Sequence, residues 1–196
     1  MPSVVVALAL TGCKKEEAAT PPYAASDKTW KIGDYTWSDA IHDPACNKED
    51  FDGGGDGEAP KADGRSYTFK GSTYYYYTWP YVDQRAAELC PSPWRVPTKD
   101  DFINLDKALG GDGTTRDADQ MWIMLNYVDS WGGAYSGYAY NAEVRNTDLY
   151  ANYWSSSSTE FSSDTKYAYC LFFNTSGKVS PRIDSPYDGY QVRCVK

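Results

Sequence analysis

Cys90-Pro91-Ser92-Pro93-Trp94-Arg95-Val96-Pro97-Thr98 is the most informative run in this 196-residue chain. Its three prolines rule out a regular helix through the block. Thr98, followed by Lys99-Asp100-Asp101, is a capping-box-like helix start with Thr98 as N-cap. Phe102, Leu105 and Leu109 then recur at helical spacing, and Gly110-Gly111 ends that helix. On the other side, residues 80 to 89 place Val82, Ala86 and Leu89 on one helical face. The block therefore joins two short helices.

Outward from it, the chain turns to strands. Trp30-Lys31-Ile32-Gly33-Asp34-Tyr35-Thr36-Trp37 alternates apolar and polar residues around Gly-Asp, the pattern of a β-hairpin. Residues 66 to 79 read as strands, and Tyr74-Tyr75-Tyr76-Tyr77 puts rings on both faces, as expected of a central strand covered twice. Residues 117 to 128 suit a further helix burying Ala118, Met121, Trp122 and Leu125. Segments 153–156, 167–173, 178–183 and 190–195 are strand-like. Strands, helices and strands again make an α+β fold.

Aromatics form 16% of the chain, with 18 Tyr and 7 Trp, so its core is built from amphipathic rings that also suit half-exposed binding surfaces. A formal charge of −8 and a pI near 4.6 argue against nucleic acid and anionic membrane surfaces as partners.

The N-terminal run from Val4 through Leu10-Thr11-Gly12-Cys13 resembles a bacterial lipoprotein signal with its lipobox, although Met1-Pro2-Ser3 lacks the usual basic residue. The resemblance implies cleavage before Cys13 and a membrane partner reached through acyl chains on that cysteine. Residues 1–12 are then a signal peptide, 13–28 a lipidated flexible tether, and 29–196 the folded domain. Lys15-Glu16-Glu17 resembles the acidic export mark of surface lipoproteins in the Bacteroidota, which points to the outer face of the outer membrane. Cys46, Cys90, Cys170 and Cys194 remain, an even set with three possible pairings and no C-x-x-C.

Lys31 to Trp37, the Cys90–Thr98 block, Tyr153-Trp154-Ser155-Ser156 and Val192-Arg193-Cys194-Val195 occur in an order that resembles the Fibrobacter succinogenes major paralogous domain. The resemblance spans residues 29 to 196. Pro93 stands where that family often has Gly, and Ser38-Asp39-Ala40-Ile41 lacks its usual Asn-Leu. It implies a C-type-lectin-like architecture, a small twisted antiparallel sheet with two to three short helices and long loops. It also implies a Cys90–Cys194 bridge, which leaves Cys46 and Cys170 as the second disulfide.

The calcium-binding triplet of sugar-binding lectins is absent. The loop bearing Asp50, Asp52, Asp56 and Glu58 is the one candidate for a structural Ca²⁺, because hard cations want clustered oxygens; no other cofactor or metal is expected. His42 and Cys46 lie four apart, but Asp43-Pro44 breaks the helix that a zinc pair there would need. No Gly-x-Ser-x-Gly supports a hydrolase. The glycine-flanked rings of 131–141 are the best binding candidate, with Trp131, Tyr135, Tyr138 and Tyr140 offering faces and Asn141, Arg145 and Asp148 offering directional bonds. The expectation is a non-catalytic envelope domain that binds carbohydrate or a protein partner. The alternatives are a structural subunit of a surface assembly or fibre, and a polysaccharide-acting enzyme.

Overall fold

Residues 20–46, 64–115, 121–141, 143–162 and 165–196 are described by a computed structural model. The signal segment, Cys13, the first part of the tether, the Asp50/Asp52/Asp56/Glu58 loop and the side chain of Cys46 lie outside them.

The first hairpin forms as its alternation predicts. Strands β1 (Thr29–Ile32) and β2 (Tyr35–Ala40) pair Trp30 with Trp37 across a turn where Gly33 takes φ +58°, a left-handed conformation that costs glycine little. Strands β3 (Gly64–Phe69) and β4 (Ser72–Tyr77) follow, closed by Lys70 and Gly71, both at positive φ as a type I′ turn requires. This pair is a two-stranded ribbon, so β4 is not the doubly covered central strand its four tyrosines suggested. Only Tyr76 and Tyr77, at the end joined to the rest of the molecule, are fully buried.

Two short helices, α1 (Trp79–Gln84) and α2 (Ala86–Leu89), lead into the proline block. Nearly every residue of that block is fastened elsewhere. Trp94 is buried, the Arg95 backbone exchanges both hydrogen bonds with Val195 at 2.9 Å, and the Pro97 carbonyl accepts from the Ser156 N–H at 2.7 Å. Thr98 caps α3 (Lys99–Ala108) in a capping box, with Asp101 returning a bond to the Thr98 N–H. Arg95 also forks onto Asp101. Burial works against the Asp101 charge, but the Arg95 bonds and those from Thr98 outweigh it and hold this carboxyl below its ordinary range.

Helix α4 (Met121–Leu125) continues into a π-turn at Asn126–Ser130. It buries Ile123, Met124 and Tyr127, while Leu125 is 59% exposed. Leu125 therefore departs from the buried face expected of it, while Ala118 and the side chains of Met121 and Trp122 lie outside the described residues.

Strands β5 (Tyr138–Tyr140) and β6 (Glu143–Arg145) make a small hairpin. The main sheet is β7 (Tyr150–Ser162), β8 (Thr165–Asn174) and β9 (Val179–Asp184) in that spatial order, all antiparallel. It carries a core on each face. Ala151, Tyr153, Leu171 and Phe173 pack with Trp37, Trp131 and the inner residues of α3 and α4. Trp154, Ala168 and Cys170 pack on the opposite side with Tyr77, Trp79, Trp94 and Tyr190.

The segment 189–195, ending in β10 (Arg193–Val195), ties the pieces together. Gly189 pairs with Ala139, Tyr190 with Tyr77, Gln191 with Asn152 and Trp154, Val192 with Ile41, and Val195 with Arg95. β10 also adds to β2 to complete the sheet β1-β2-β10. Cys194 is bonded to Cys90 with Cα atoms 5.6 Å apart. The small antiparallel sheets and short helices establish the α+β class.

Residues 20–28, read as the end of a flexible tether, are docked. Ala24 bridges to Ile41, the Ala25 N–H reaches the Ala40 carbonyl at 2.8 Å, and the His42 N–H reaches Tyr23 at 2.7 Å. Backbone pairing supplies an anchor that side-chain composition there does not reveal.

Candidate functional site

Alternation along β5–β6 sorts its residues. Ala139 and Val144 face inward against Tyr74 and Tyr76. Tyr138, Tyr140, Glu143 and Arg145 therefore share the outer face. Asn141 at φ +45° opens the connecting turn, and Gly137 at φ +79° lets the hairpin approach its neighbour. A Cβ on Gly137 would lie 2.1 Å from the Arg145 carbonyl oxygen, so only glycine fits.

The outer face continues onto the main sheet. Tyr138 stacks near-parallel with Tyr150 at 6.5 Å and meets Tyr140 and Tyr190 edge-on at 6.5 and 6.2 Å. Tyr150 meets Phe172 at 5.2 Å. The Arg145 guanidinium lies 4.6 Å over Tyr140, and Arg182 lies 4.3 Å over Phe172. Tyr138, Tyr140 and Tyr150 are half-buried, and Asn141, Glu143 and Arg145 are exposed around them.

Beneath the tyrosines lies a polar cluster. The Tyr190 hydroxyl stands 2.7 Å from Asp184 Oδ2 and 3.3 Å from Asp188 Oδ2, and Arg182 pairs with Asp184 at 2.7 Å. Burial, reinforced by the neighbouring charge of Asp184, pushes the Asp188 carboxyl up to about 7. Burial also raises the Tyr138 phenol, and the charge of Asp188 adds to it. Asp188 Oδ1, Arg182 Nε and Asn152 Nδ2 are buried without a hydrogen-bond partner. Three such atoms in one cluster leave hydrogen-bonding capacity unmet beneath the platform.

Of the residues expected at the site, the structure gathers Tyr138, Tyr140, Asn141 and Arg145 on one hairpin. Tyr135 is half-buried against Phe173, and exposed Asp148 pairs instead with Lys70 of the β3–β4 turn. Trp131 must be removed from the set. It is fully buried, with Tyr153 at 4.9 Å, Trp37 at 5.4 Å and Tyr127 at 6.2 Å. The π-turn swings its ring inward instead of presenting it on the loop.

Sequence reasoning missed Asn152, Arg182, Asp184 and Asp188. Arg182 and Asp184 alternate with Pro181 and Ile183 along β9, a charged face that pointed to them. Asn152 and Asp188 needed the register.

The cysteine framework is half as expected. The Cys90–Cys194 bridge forms, but Cys170 is a free thiol and not half of a disulfide with Cys46. Its position on β8, paired opposite Trp154 and Arg182, seals it in the core, where burial pushes the thiol up to about 12. Half-buried His42 stacks on Tyr75 at 4.6 Å, and its pKa is lowered by burial against an opposing pull from Asp39.

The model of the Fibrobacter succinogenes major domain matches residues 31–196. No curated protein and no solved structure matches the chain.

Proposed function

The chain belongs to the Fibrobacter succinogenes major domain family, and from that premise we propose that it is a non-catalytic, carbohydrate-binding domain of a cell-envelope lipoprotein anchored at Cys13. The single observation that carries the binding role is the half-exposed tyrosine platform of Tyr138, Tyr140 and Tyr150 above the Asp184/Asp188/Arg182/Asn152 cluster. Sugar rings have an apolar face that lies on aromatic rings and hydroxyls that need directional partners. Both are present here within one patch. The lipobox supports the anchor and the outer-membrane, surface location. The helix-to-last-strand disulfide and the sheet shared by β1 and β10 support a C-type-lectin-like reading of the fold.

Binding to a panel of immobilised polysaccharides, measured for the whole domain, tests the role. Tyr138→Ala is expected to weaken binding roughly two- to tenfold, from a ring contact worth ~0.5–1.5 kcal/mol, while the far-UV circular dichroism stays unchanged. Absence of binding across the panel, or full binding by Tyr138→Ala, overturns it.

The carboxylates of Asp184 and Asp188 at one hydroxyl favour a second reading, a polysaccharide-cleaving carboxylate pair in which Asp188, pushed up by burial, holds the proton. Release of reducing ends, abolished in Asp188→Asn, would establish it.

A further inference from the structure

A different place in the molecule holds a buried cation without an anion. Arg193 is 1% exposed. Its Nε–H donates to the Ser38 carbonyl at 2.7 Å and its Nη1 to the Trp131 carbonyl at 2.6 Å. The rings of Trp30 and Trp131 cover it at 4.3 and 4.4 Å. These contacts fix the guanidinium but none carries a formal negative charge. Nη2 is buried with no hydrogen-bond partner. A buried charge held this way is costly unless an ion completes it.

Arg193 lines a cavity of about 200 Å³, together with Asp39, His42, Ser72, Thr73 and Tyr74. The charge of Asp39 reaches Arg193, but the two make no hydrogen bond or ion pair; the Asp39 oxygens accept from the Ala40 N–H at 2.8 Å and the Ser26 hydroxyl at 2.6 Å. We propose that this cavity binds a small monocarboxylate, with the guanidinium edge of Arg193 as its anchor and Ser72 in its lining. A planar carboxylate matches the guanidinium edge. The charge of Asp39 in the same lining disfavours a dianion such as phosphate more than a monoanion.

Sodium acetate is the probe, titrated into the ¹⁵N-labelled domain while the Arg193 Nε–H signal is followed, with sodium chloride at equal ionic strength as control. Acetate is expected to move that signal saturably and to raise the melting temperature, and inorganic phosphate to act at least tenfold more weakly. Arg193→Lys should weaken acetate binding tenfold or more. Because that variant removes core contacts, Ser72→Tyr is the second test: it leaves every Arg193 contact in place, puts a large ring into the cavity lining, and should abolish the shift. No saturable shift beyond chloride, phosphate binding as strong as acetate, or an undiminished shift in Ser72→Tyr each overturns the proposal.

Discussion

Asp188 shows how one residue couples the proposed site to solution conditions. Its folded carboxyl titrates near 7, above the ordinary 3.8, because it is buried beside Asp184. The folded state therefore holds a proton that the unfolded state has released, and this contribution to stability is complete below the unfolded value and lost as pH rises through about 7. Melting temperature should fall between pH 5 and pH 8, and Asp188→Asn should flatten that slope in scanning calorimetry. An unchanged slope in the variant would mean that another group titrates. This residue was not legible in sequence, because nothing local distinguishes it from the other acidic residues of a chain with charge −8. Trp131 failed for the opposite reason: its glycine neighbours suggested exposure, while five aromatic or cationic partners, found only in three dimensions, hold it inside.

Elements were far more readable than the contacts between them. The Thr98 cap, the helical stripe of Phe102, Leu105 and Leu109, and the Trp30–Trp37 hairpin all formed, since each depends on residues within a few positions. The four-tyrosine strand misled because ring content reports burial, whereas strand position depends on partners far along the chain. The capping box offers a clean check at this scale. Thr98→Ala removes the bond accepted from the Asp101 N–H and loosens the carboxylate that Arg95 grips. A loss of about 1–2 kcal/mol is expected in urea unfolding, with the slope unchanged. A loss below ~0.3 kcal/mol would show that the Arg95–Asp101 pair holds the turn alone.

At the scale of the whole molecule, the Cys90–Cys194 bridge spans 104 residues of sequence. Closing so long a loop in the unfolded chain contributes about 4–5 kcal/mol in the chain-entropy account. The paired variant Cys90→Ser/Cys194→Ser should therefore unfold at markedly lower urea, and a midpoint equal to that of the parent would show the bridge to be redundant. Free Cys170 is expected to remain unalkylated until the domain unfolds. The α+β class was visible because it is a sum of local patterns; the five-way joining by residues 189–195 was not, because short strands carry no mark of their partners.

That joining segment has a consequence in time. The ribosome makes it after every strand it unites, so the first hairpin waits for its third strand and the tyrosine ribbon for its bridge until residues 189–195 have emerged. Local pieces such as the capped helix and the hairpins can form as they are made, but their joining into one body is an event of the segment that comes after them all.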